Sequence, residues 1–443
     1  RGASPRMLMP VAVGPCHGGL LEGFPWPKTW SKIHVIVAGR GMESCMHQDE
    51  TSLQDRFELA YDPDSYRRVI AGKDVTIHCH HYNSRMQRTV ESSDCVDGPS
   101  IIRSCAETVF TEQIADVLRA GDTSRVRAAA AEQLYSHLGF GTLDLSQIES
   151  GVVTASASHF VEGWLAGFGP REQPACTFTE GYIQGAVFVL TGCLVHVRER
   201  KCMAKGDPAC VFHLDFNREQ PSAPNTKAAI RLQPQREQKF AHSPNIDEQK
   251  IVDALVAMPL HGNAEGLIPA FGVYLANMPA DYYNLVCIRF VEAMYKARRG
   301  RAAKRMLVSD GEICAMNTFR GMMASAEWES WVAPMIQAST DNMYALVAIS
   351  NGLGWGGWHI LEDRGEQGIT YVSSNGYEAH GYREYRGVAD EPKCLMLTGV
   401  AAGLMALMYS KGTIEERLGS YFSQEETCIC QDDSVCTFSV SRV

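Results

Sequence analysis

The chain has 443 residues, of which 45% are hydrophobic, and its formal net charge is −10 at pH 7. This length predicts two or three domains, each able to bury a core. The acidic balance argues against a nucleic-acid partner, because phosphates attract basic surfaces. The longest largely apolar run, 395–409, contains glycine and is too short for a bilayer, so we expect no membrane span.

The N-terminal part of the chain, residues 1–41, is rich in Gly and Pro and has no helical periodicity. It also does not follow the order of charged and apolar regions that a secretory signal peptide has. We interpret it as an irregular segment, with an expression remnant, a product of upstream translation and an ordered cap as the alternatives. Folded sequence is expected to begin at residue 42.

The amino-terminal part of the folded sequence, 42–216, is predicted to form one domain that mixes helices and strands. Its apolar spacing and its Gly and Pro positions predict the following elements in chain order. They are a short helical segment within 55–70, helices at 100–119 and 123–138, strands at 142–148 and 152–160, a glycine-bearing helix at 176–190 and a hairpin at 194–216.

A linker is predicted at 217–245, where prolines are frequent and large apolar residues are few. The second domain, 246–443, then repeats the plan of the first. Its predicted elements are helices at 246–258, 281–299 and within 328–350, a strand at 368–374, an apolar helix at 394–409 and a hairpin at 423–440.

One cysteine pattern occurs twice, and each copy consists of a leading Cys followed by Glu-x2-Cys-x7-Cys. The leading Cys also opens a Cys-x4-Gly-x3-Gly segment in both copies. Three thiolates and one carboxylate form a sensible zinc set, so we predict two structural zinc sites. The eight extra residues of the second copy fit in 410–420, between helix and hairpin. The predicted ligands are Cys176, Glu199, Cys202 and Cys210 in one set, and Cys394, Glu425, Cys428 and Cys436 in the other.

Two alternatives to this zinc prediction stay open. The cysteines could be incidental residues of a hairpin, and Cys430 could compete as a ligand, although it breaks the shared spacing. The chain has fifteen cysteines, an odd number. Since six of them fall in the two sets, we expect thiolates that bind metal in a reducing compartment, the cytoplasm, and not a disulfide scaffold.

The Cys-led helix and the Glu-x2-Cys-x7-Cys hairpin resemble the 4-vinyl-reductase or hydrocarbon-binding domain family. They are also similar to the sensor domains of phenol- and aromatic-responsive bacterial activators. The resemblance covers 75–216 and, more weakly, 306–443. It implies an α+β fold with a small apolar pocket beside a zinc site. The sequence has no Walker-type Gly-x4-Gly-Lys-Ser/Thr loop and no recognisable DNA-reading helix, so the resemblance does not extend to the output half of an activator.

The predicted fold class is therefore α+β, with two tandem copies of a zinc-containing small-molecule-binding domain. Domains of this type commonly pair, so the two copies are expected to form an internal pseudo-dimer. A homo-oligomer of the whole chain is also compatible with the sequence.

A histidine cluster is the second candidate site, with His78, His80, His81 and Tyr82 as candidate catalytic residues. If the stretch is a strand, His78 and His80 point to one face, where two imidazoles suit a metal or acid/base chemistry. We aligned 313–317 of the second copy with this stretch, which has no histidine there. The alternative is a polar cluster without a function.

Aromatic residues near the glycines are the third feature. Gly181 and Gly185 remove bulk from one helix face, which leaves either a cavity or room for close packing. We predict a pocket in the first copy, with an ordinary packed core as the alternative. The candidate ligand-binding residues are Phe140, Phe160, Trp164, Tyr182 and Phe188.

The leading functional hypothesis is a protein that binds a small hydrophobic or aromatic molecule, as a sensor, a carrier or an accessory subunit. One alternative is a metal-dependent enzyme that acts on a small organic substrate through His78, His80 and His81, with Tyr82 or His159 in proton transfer. The other is a structural scaffold whose pockets are filled by their own side chains.

Overall fold

The computed structural model describes Leu53 and residues 55–219, 227–228 and 239–443. The predicted irregular segment 1–41 lies outside the described residues, and the predicted linker lies only partly inside them. Helices and antiparallel sheets are mixed, which confirms the α+β class. None of the helices in the described part of the chain has the length and the apolar character needed to cross a bilayer.

The amino-terminal half, defined here as residues 55–219, contains five α-helices and six strands among its described elements. The helices are α1 (His80–Glu91), α2 (Gly98–Val117), α3 (Ser124–His137), α4 (His159–Phe168) and α5 (Thr177–Thr191). The strands are β1 (Ala60–Asp62), β2 (Arg67–Ile70), β3 (Lys73–Cys79), β4 (Val152–Ala155), β5 (His196–Lys201) and β6 (Cys210–Asp215).

The carboxy-terminal half, defined here as residues 239–443, contains the remaining described helices and strands. The helices are α6 (Glu248–Val256), α7 (Ala280–Lys296), α8 (Gly300–Met323), α9 (Ala326–Trp331), α10 (Asp341–Gly352), α11 (Tyr377–Arg386), α12 (Leu395–Tyr409) and α13 (Ile414–Arg417). The strands are β7 (Ile268–Ala270), β8 (Val273–Pro279), β9 (Trp358–Asp363), β10 (Gly368–Ser373), β11 (Tyr421–Thr427) and β12 (Cys436–Arg442).

A five-stranded sheet in the order β1-β2-β3-β8-β7 runs through both halves. Its central pair, β3 and β8, is antiparallel, with Ile77 opposite Asn277. The last five residues of each of these strands are buried, so both faces of the sheet are covered. The two halves therefore share one continuous hydrogen-bonded sheet.

Two tight hairpins build this sheet, and the sequence prediction missed both. Ala71 and Gly72 join β2 to β3, and Phe271 and Gly272 join β7 to β8. All four turn residues have positive φ, between 50° and 73°, as the two-residue turns of hairpins with twisted strands require. The predicted helical segment within 55–70 is accordingly wrong, because β1 and β2 occupy most of it.

The two smaller sheets carry the predicted cysteine hairpins. One has the order β4-β6-β5 and the other the order β11-β12-β10-β9. Both hairpins and both Cys-led helices are confirmed. The predicted strand at 142–148 is wrong, since the described residues there make only an isolated bridge, between Asp144 and Thr154.

The glycines of the Cys-led helices serve close helix packing, not a cavity. A Cβ added to Gly181 of α5 would lie 2.2 Å from the carbonyl oxygen of Arg103 on α2. A Cβ added to Gly399 of α12 would lie 2.0 Å from the carbonyl oxygen of Val308 on α8. Both distances are far below a normal contact, so only glycine lets these helix pairs approach so closely.

The two halves present their elements in the same order. In the first, β3 is followed by α1, α2, α3, β4, α4, α5, β5 and β6. In the second, β8 is followed by α7, α8, α10, β10, α11, α12, β11 and β12, with α9 and β9 as additions. The counterpart of β3 is thus β8, and our alignment of 313–317 with the histidine stretch is wrong because those residues lie inside α8.

Candidate metal centres and the neighbouring aromatic cluster

Two groups of four buried side chains could each hold a metal ion, and they are the two predicted sets. Within each group the ligand atoms all lie within 4.8 Å of one another. The leading cysteine stands at the N-terminus of its helix, α5 or α12, and the other three residues come from the hairpin beside it. The first centre consists of Cys176, Glu199, Cys202 and Cys210, and the second of Cys394, Glu425, Cys428 and Cys436.

The sulfur positions of the second centre form a nearly equilateral triangle. The Sγ of Cys394 lies 3.8 Å from that of Cys428 and 3.7 Å from that of Cys436, and Cys428 and Cys436 are 3.8 Å apart. A tetrahedral zinc ion with bonds of about 2.3 Å to sulfur has edges of about 3.8 Å between its ligands. In the first centre Cys176 and Cys210 are 3.7 Å apart. The spacing of the thiols therefore fits a tetrahedral ion.

The glutamate of each centre leaves one carboxylate oxygen for a ligand. Glu199 accepts a hydrogen bond on Oε2 from the backbone N–H of Cys176 at 2.8 Å, and Glu425 accepts one from Cys394 at 2.9 Å. In both residues the other oxygen, Oε1, is buried and has no hydrogen-bond partner among the described residues. A buried oxygen without a partner is costly, and a metal ion would satisfy it.

Short turns hold the middle cysteine of each hairpin. Asp207 accepts a hydrogen bond from the backbone N–H of Cys202 at 2.8 Å, and Asp433 accepts one from Cys428 at 2.9 Å. The turns end at residues with positive φ, Gly206 and Asp432. Because the backbone already fixes these cysteines, little ordering remains to be done when an ion binds.

The electrostatics of the centres also favour a cation. Burial, together with the neighbouring Cys202 thiolate, raises the pKa of Glu199 to about 8. Burial likewise raises the pKa of Glu425 well above its usual value. Four acidic groups crowded in a buried space cannot all ionise alone, whereas a divalent cation would stabilise their charged forms. The donor set suits zinc, since soft thiolates with one carboxylate are among its ordinary ligands.

The predicted histidine site is divided between two elements. His78 lies near the end of β3, but His80 is the first residue of α1, so the prediction that they share one strand face is wrong. His78 is fully buried and packs on Tyr82, with ring centroids 4.7 Å apart. His80 lies 4.0 Å from His81 by ring centroids, and its Nδ1 accepts a hydrogen bond from the backbone N–H of Tyr274 at 2.9 Å. The structure pairs His78 with Tyr82 and His80 with His81.

Beside this group lies a buried hydrogen-bond chain that the sequence did not indicate. The Nε2 of His159 lies 2.8 Å from the Nδ2 of Asn83, whose Oδ1 accepts a hydrogen bond from the hydroxyl of Tyr283 at 2.6 Å. Tyr283 belongs to the carboxy-terminal half, about 200 positions away. Residues this distant in sequence give no local pattern that could reveal their contact.

Three of the predicted ligand-binding residues meet in one group, which we call the aromatic cluster. Its rings are 4.4 Å to 6.2 Å from their neighbours by centroid, and all are buried. The members are Phe110, Tyr135, Phe140, Phe160, Phe178 and Tyr182.

The other two predicted pocket residues lie apart from the aromatic cluster. Trp164 packs on Phe168 and under the guanidinium of Arg171, which is 3.9 Å from the ring centroid. Phe188 is half-buried near the end of α5. These two side chains are therefore not placed to line the same pocket as Phe140.

The aromatic cluster adjoins the first metal centre. Phe178 is two residues beyond Cys176, and the hydroxyls of Tyr135 and Thr179 are 2.8 Å apart. A change in the first turn of α5 would therefore reach the ion and the rings together.

A concave apolar depression lies in the carboxy-terminal half, where we did not predict a pocket. It encloses about 270 Å³, including its open mouth. Phe271, Trp328 and Trp331 line it together with Met322 and aliphatic side chains.

Comparison with known proteins identifies one stretch of the chain. Residues 157–216 match the family model of the 4-vinyl-reductase domain. This stretch belongs to that family. The match contains Cys176, Glu199, Cys202 and Cys210 and confirms the family that these residues resemble. A second, tandem 4-vinyl-reductase domain stays a prediction.

The chain also resembles a solved structure, the phenol-responsive sensory domain of the transcription activator PoxR with phenol. The sequence identity is 16%, the match covers 39% of this chain and 91% of that one, and the TM-score is 0.31. No curated protein matches the sequence.

Proposed function

We propose that this protein binds a small hydrophobic or aromatic molecule, as a sensor, a carrier or an accessory subunit, in a fold that two zinc ions stabilise. The observation that carries the proposal is the pair of buried three-thiol, one-carboxylate centres, the first of which lies inside the 4-vinyl-reductase domain. Family membership alone does not determine a function, so the residues around the centre have to supply the rest.

Each zinc ion would have a structural role. With three thiolates and one carboxylate the ion has four protein ligands, which leaves no position for a substrate. The ion would join the hairpin to the N-terminus of the Cys-led helix, where the helix dipole favours thiolates. Binding to such a site contributes directly to the free energy of folding. The described cysteines form no disulfide, in agreement with a reducing compartment such as the cytoplasm.

The ligand would bind at the aromatic cluster. A small-molecule site needs an apolar wall with a few polar groups, and the cluster has the hydroxyls of Tyr135 and Tyr182 within its rings. The Tyr182 hydroxyl donates to the carbonyl of Ala131 at 2.6 Å. Because the rings fill the space between them, a ligand would enter as side chains such as Phe160 change rotamer. The adjoining zinc centre would keep α5 in place during this change.

The arrangement of the two halves supports a tandem pseudo-dimer. The same elements follow β3 and β8, and these two strands pair antiparallel at the centre of the shared sheet. An antiparallel pair of equivalent strands is the contact expected at an approximate two-fold axis. We therefore propose that residues 42–216 and 246–443 are two copies of one domain, joined by 217–245.

The metal-dependent enzyme is the less supported alternative. Within the described residues, the two groups able to hold a metal contain no histidine. His78 and His80 also contact different partners, so they do not form an acid/base pair at one site.

Metal analysis and native mass spectrometry test the proposal. The purified, reduced protein should contain two zinc ions per chain and retain, or bind on addition, a small aromatic molecule. Cys202→Ser should remove one zinc ion and lower the melting temperature, whereas Cys95→Ser, at an exposed thiol, should change neither. Less than one zinc ion per chain would refute the metal assignment. Two zinc ions without affinity for any of a panel of small aromatics would instead favour the structural scaffold.

A further inference from the structure

The two metal centres differ in one buried side chain. The middle cysteine is followed two residues later by Ala204 in the first centre and by Cys430 in the second, and both are fully buried. The backbone at the middle cysteine is the same, with φ −143° and ψ 131° at Cys202 and φ −143° and ψ 132° at Cys428. The second centre therefore carries an additional thiol on an otherwise equal turn.

This additional thiol stands beside the predicted ligand triangle. The Sγ of Cys430 is 3.0 Å from that of Cys428, whereas the triangle edges at Cys428 are 3.8 Å. Two ligands of one tetrahedral zinc ion would be about 3.8 Å apart, so a thiol at 3.0 Å is too close to share the ion with Cys428. Cys430 thus contacts a ligand sulfur directly and is not the fourth ligand in this arrangement.

A single surface segment covers the pair. The backbone N–H of Ala389 donates to the carbonyl of Cys430 at 2.8 Å, and the Cys430 thiol points to the carbonyl of Glu391 at 3.7 Å. Val388 beside them is 58% exposed. Opening of this segment would give a small oxidant access to both sulfur atoms.

We propose that Cys428 and Cys430 form an oxidation-sensitive thiol pair that releases the metal ion from the second centre only. The proposal rests on the proposed zinc site. The co-reactant is a hydroperoxide such as hydrogen peroxide. A disulfide requires the two sulfur atoms to approach from 3.0 Å to about 2.05 Å, a short movement for two residues on one turn.

The chemistry balances in two steps. The Cys428 thiolate attacks one peroxide oxygen, the O–O bond breaks, and sulfenic acid and hydroxide form. The Cys430 sulfur then attacks the sulfenic sulfur of Cys428 and forms the S–S bond, while the thiol proton and the sulfenic hydroxyl leave as water. Two sulfur atoms are oxidised by two electrons in total, and one peroxide is reduced. The ion, left with Cys394, Cys436 and Glu425, loses one of its four ligands.

The test oxidises the full-length, zinc-loaded chain with increasing hydrogen peroxide. Released zinc is measured with a chromogenic chelator, and disulfides are mapped by peptide mass spectrometry. The wild type should lose one of its two zinc ions first, together with formation of a Cys428–Cys430 disulfide that a dithiol reverses.

Exchange of the two equivalent residues provides matched variants. Cys430→Ala, which copies the first centre, should abolish the early release, and Cys430→Ser should do the same while keeping a donor beside Cys428. Ala204→Cys should make the first centre lose its ion early as well. Melting temperatures measured before oxidation verify that the variants are folded.

Two results would overturn the proposal: equal zinc release from Cys430→Ala and the wild type, or a mapped disulfide that does not include Cys430. Failure of the proposed zinc site is distinguishable, because the purified chain would then contain no zinc before oxidation. Disulfide mapping of that metal-free chain would still decide whether the pair is the preferred site of oxidation.

Discussion

The imidazole of His78 stacks on the indole of Trp355, with ring centroids 4.9 Å apart and ring planes inclined by 18°. His78 lies on β3 of the amino-terminal half, and Trp355 follows α10 in the carboxy-terminal half. The indole Nε1–H of Trp355 also donates to the carbonyl of Ile77 at 2.9 Å. Both side chains are fully buried, so this stack is part of the junction between the halves.

Replacement of His78 by phenylalanine should make the protein less sensitive to acid. Burial lowers the pKa of His78 to about 3, so the folded state does not take up the proton that an unfolded histidine binds below pH ~6.5. Stability is therefore lost as pH falls from ~6.5 towards ~3, by up to ~1.4 kcal/mol per pH unit for this group. Urea unfolding at several pH values should show His78→Phe gaining on the wild type as pH falls. A difference that does not change with pH would contradict this interpretation.

Addition of one methyl group at Gly181 should weaken the contact between α5 and α2. The new Cβ would lie 2.2 Å from the carbonyl oxygen of Arg103, so the helices must separate, at a cost of ~1–3 kcal/mol or more. Gly167→Ala is the matched control, because its nearest neighbour within 4 Å is Ser84 Oγ at 3.9 Å, and alanine should stabilise that helix by ~0.5–1 kcal/mol. Denaturant titrations measure both changes. Equal effects of the two substitutions would argue against close packing at Gly181.

Glutamine in place of Glu425 should weaken metal binding at the second centre. The amide can still accept the N–H of Cys394 through its oxygen, but it then presents an NH2 group where Oε1 stood. Competition with a chromogenic chelator should show faster loss of one zinc ion per chain. Glu426→Gln, at the exposed neighbour, is the control. Unchanged zinc retention in Glu425→Gln would mean that another group, such as Cys430, supplies the fourth ligand.

Limited proteolysis of the folded protein should cut first between residues 217 and 245, where prolines are frequent and anchoring apolar residues are few. The two fragments should then remain together on gel filtration, because β3 and β8 belong to one sheet. Denaturing gels of the same samples identify the cut. A first cut inside 75–216, or fragments that separate at once, would contradict this prediction.

Features with a strong local pattern could be predicted from the sequence. The N-cap at Thr123, whose side chain accepts from the N–H of Val126, and the helix that it starts were both recognised. The metal sets were found because hairpins and helix starts fix the spacing of their ligands, and the same spacing occurs twice. The eight extra residues of the second copy do fall between α12 and β11, as expected.

Features that depend on distant contacts could not be predicted. The Ala71 and Phe271 turns were missed because these residues rarely adopt positive φ, so they do not mark a hairpin in the sequence. The histidine stretch was interpreted as one strand because nothing local marks the change from β3 to α1 at His80. The choice between cavity and close packing at Gly181 required the position of Arg103 on another helix.

The pairing of β3 with β8 within one chain has a genetic consequence. In a dimer of identical chains, every substitution appears on both sides of the axis at once, so a change useful at one site must also be tolerated at the other. In this chain the positions equivalent by element order are encoded separately: His78 on β3 has Met278 as its counterpart on β8, and Ala204 has Cys430. One half can therefore keep the ancestral arrangement while the other acquires a new residue, so a symmetric framework can evolve two unlike sites.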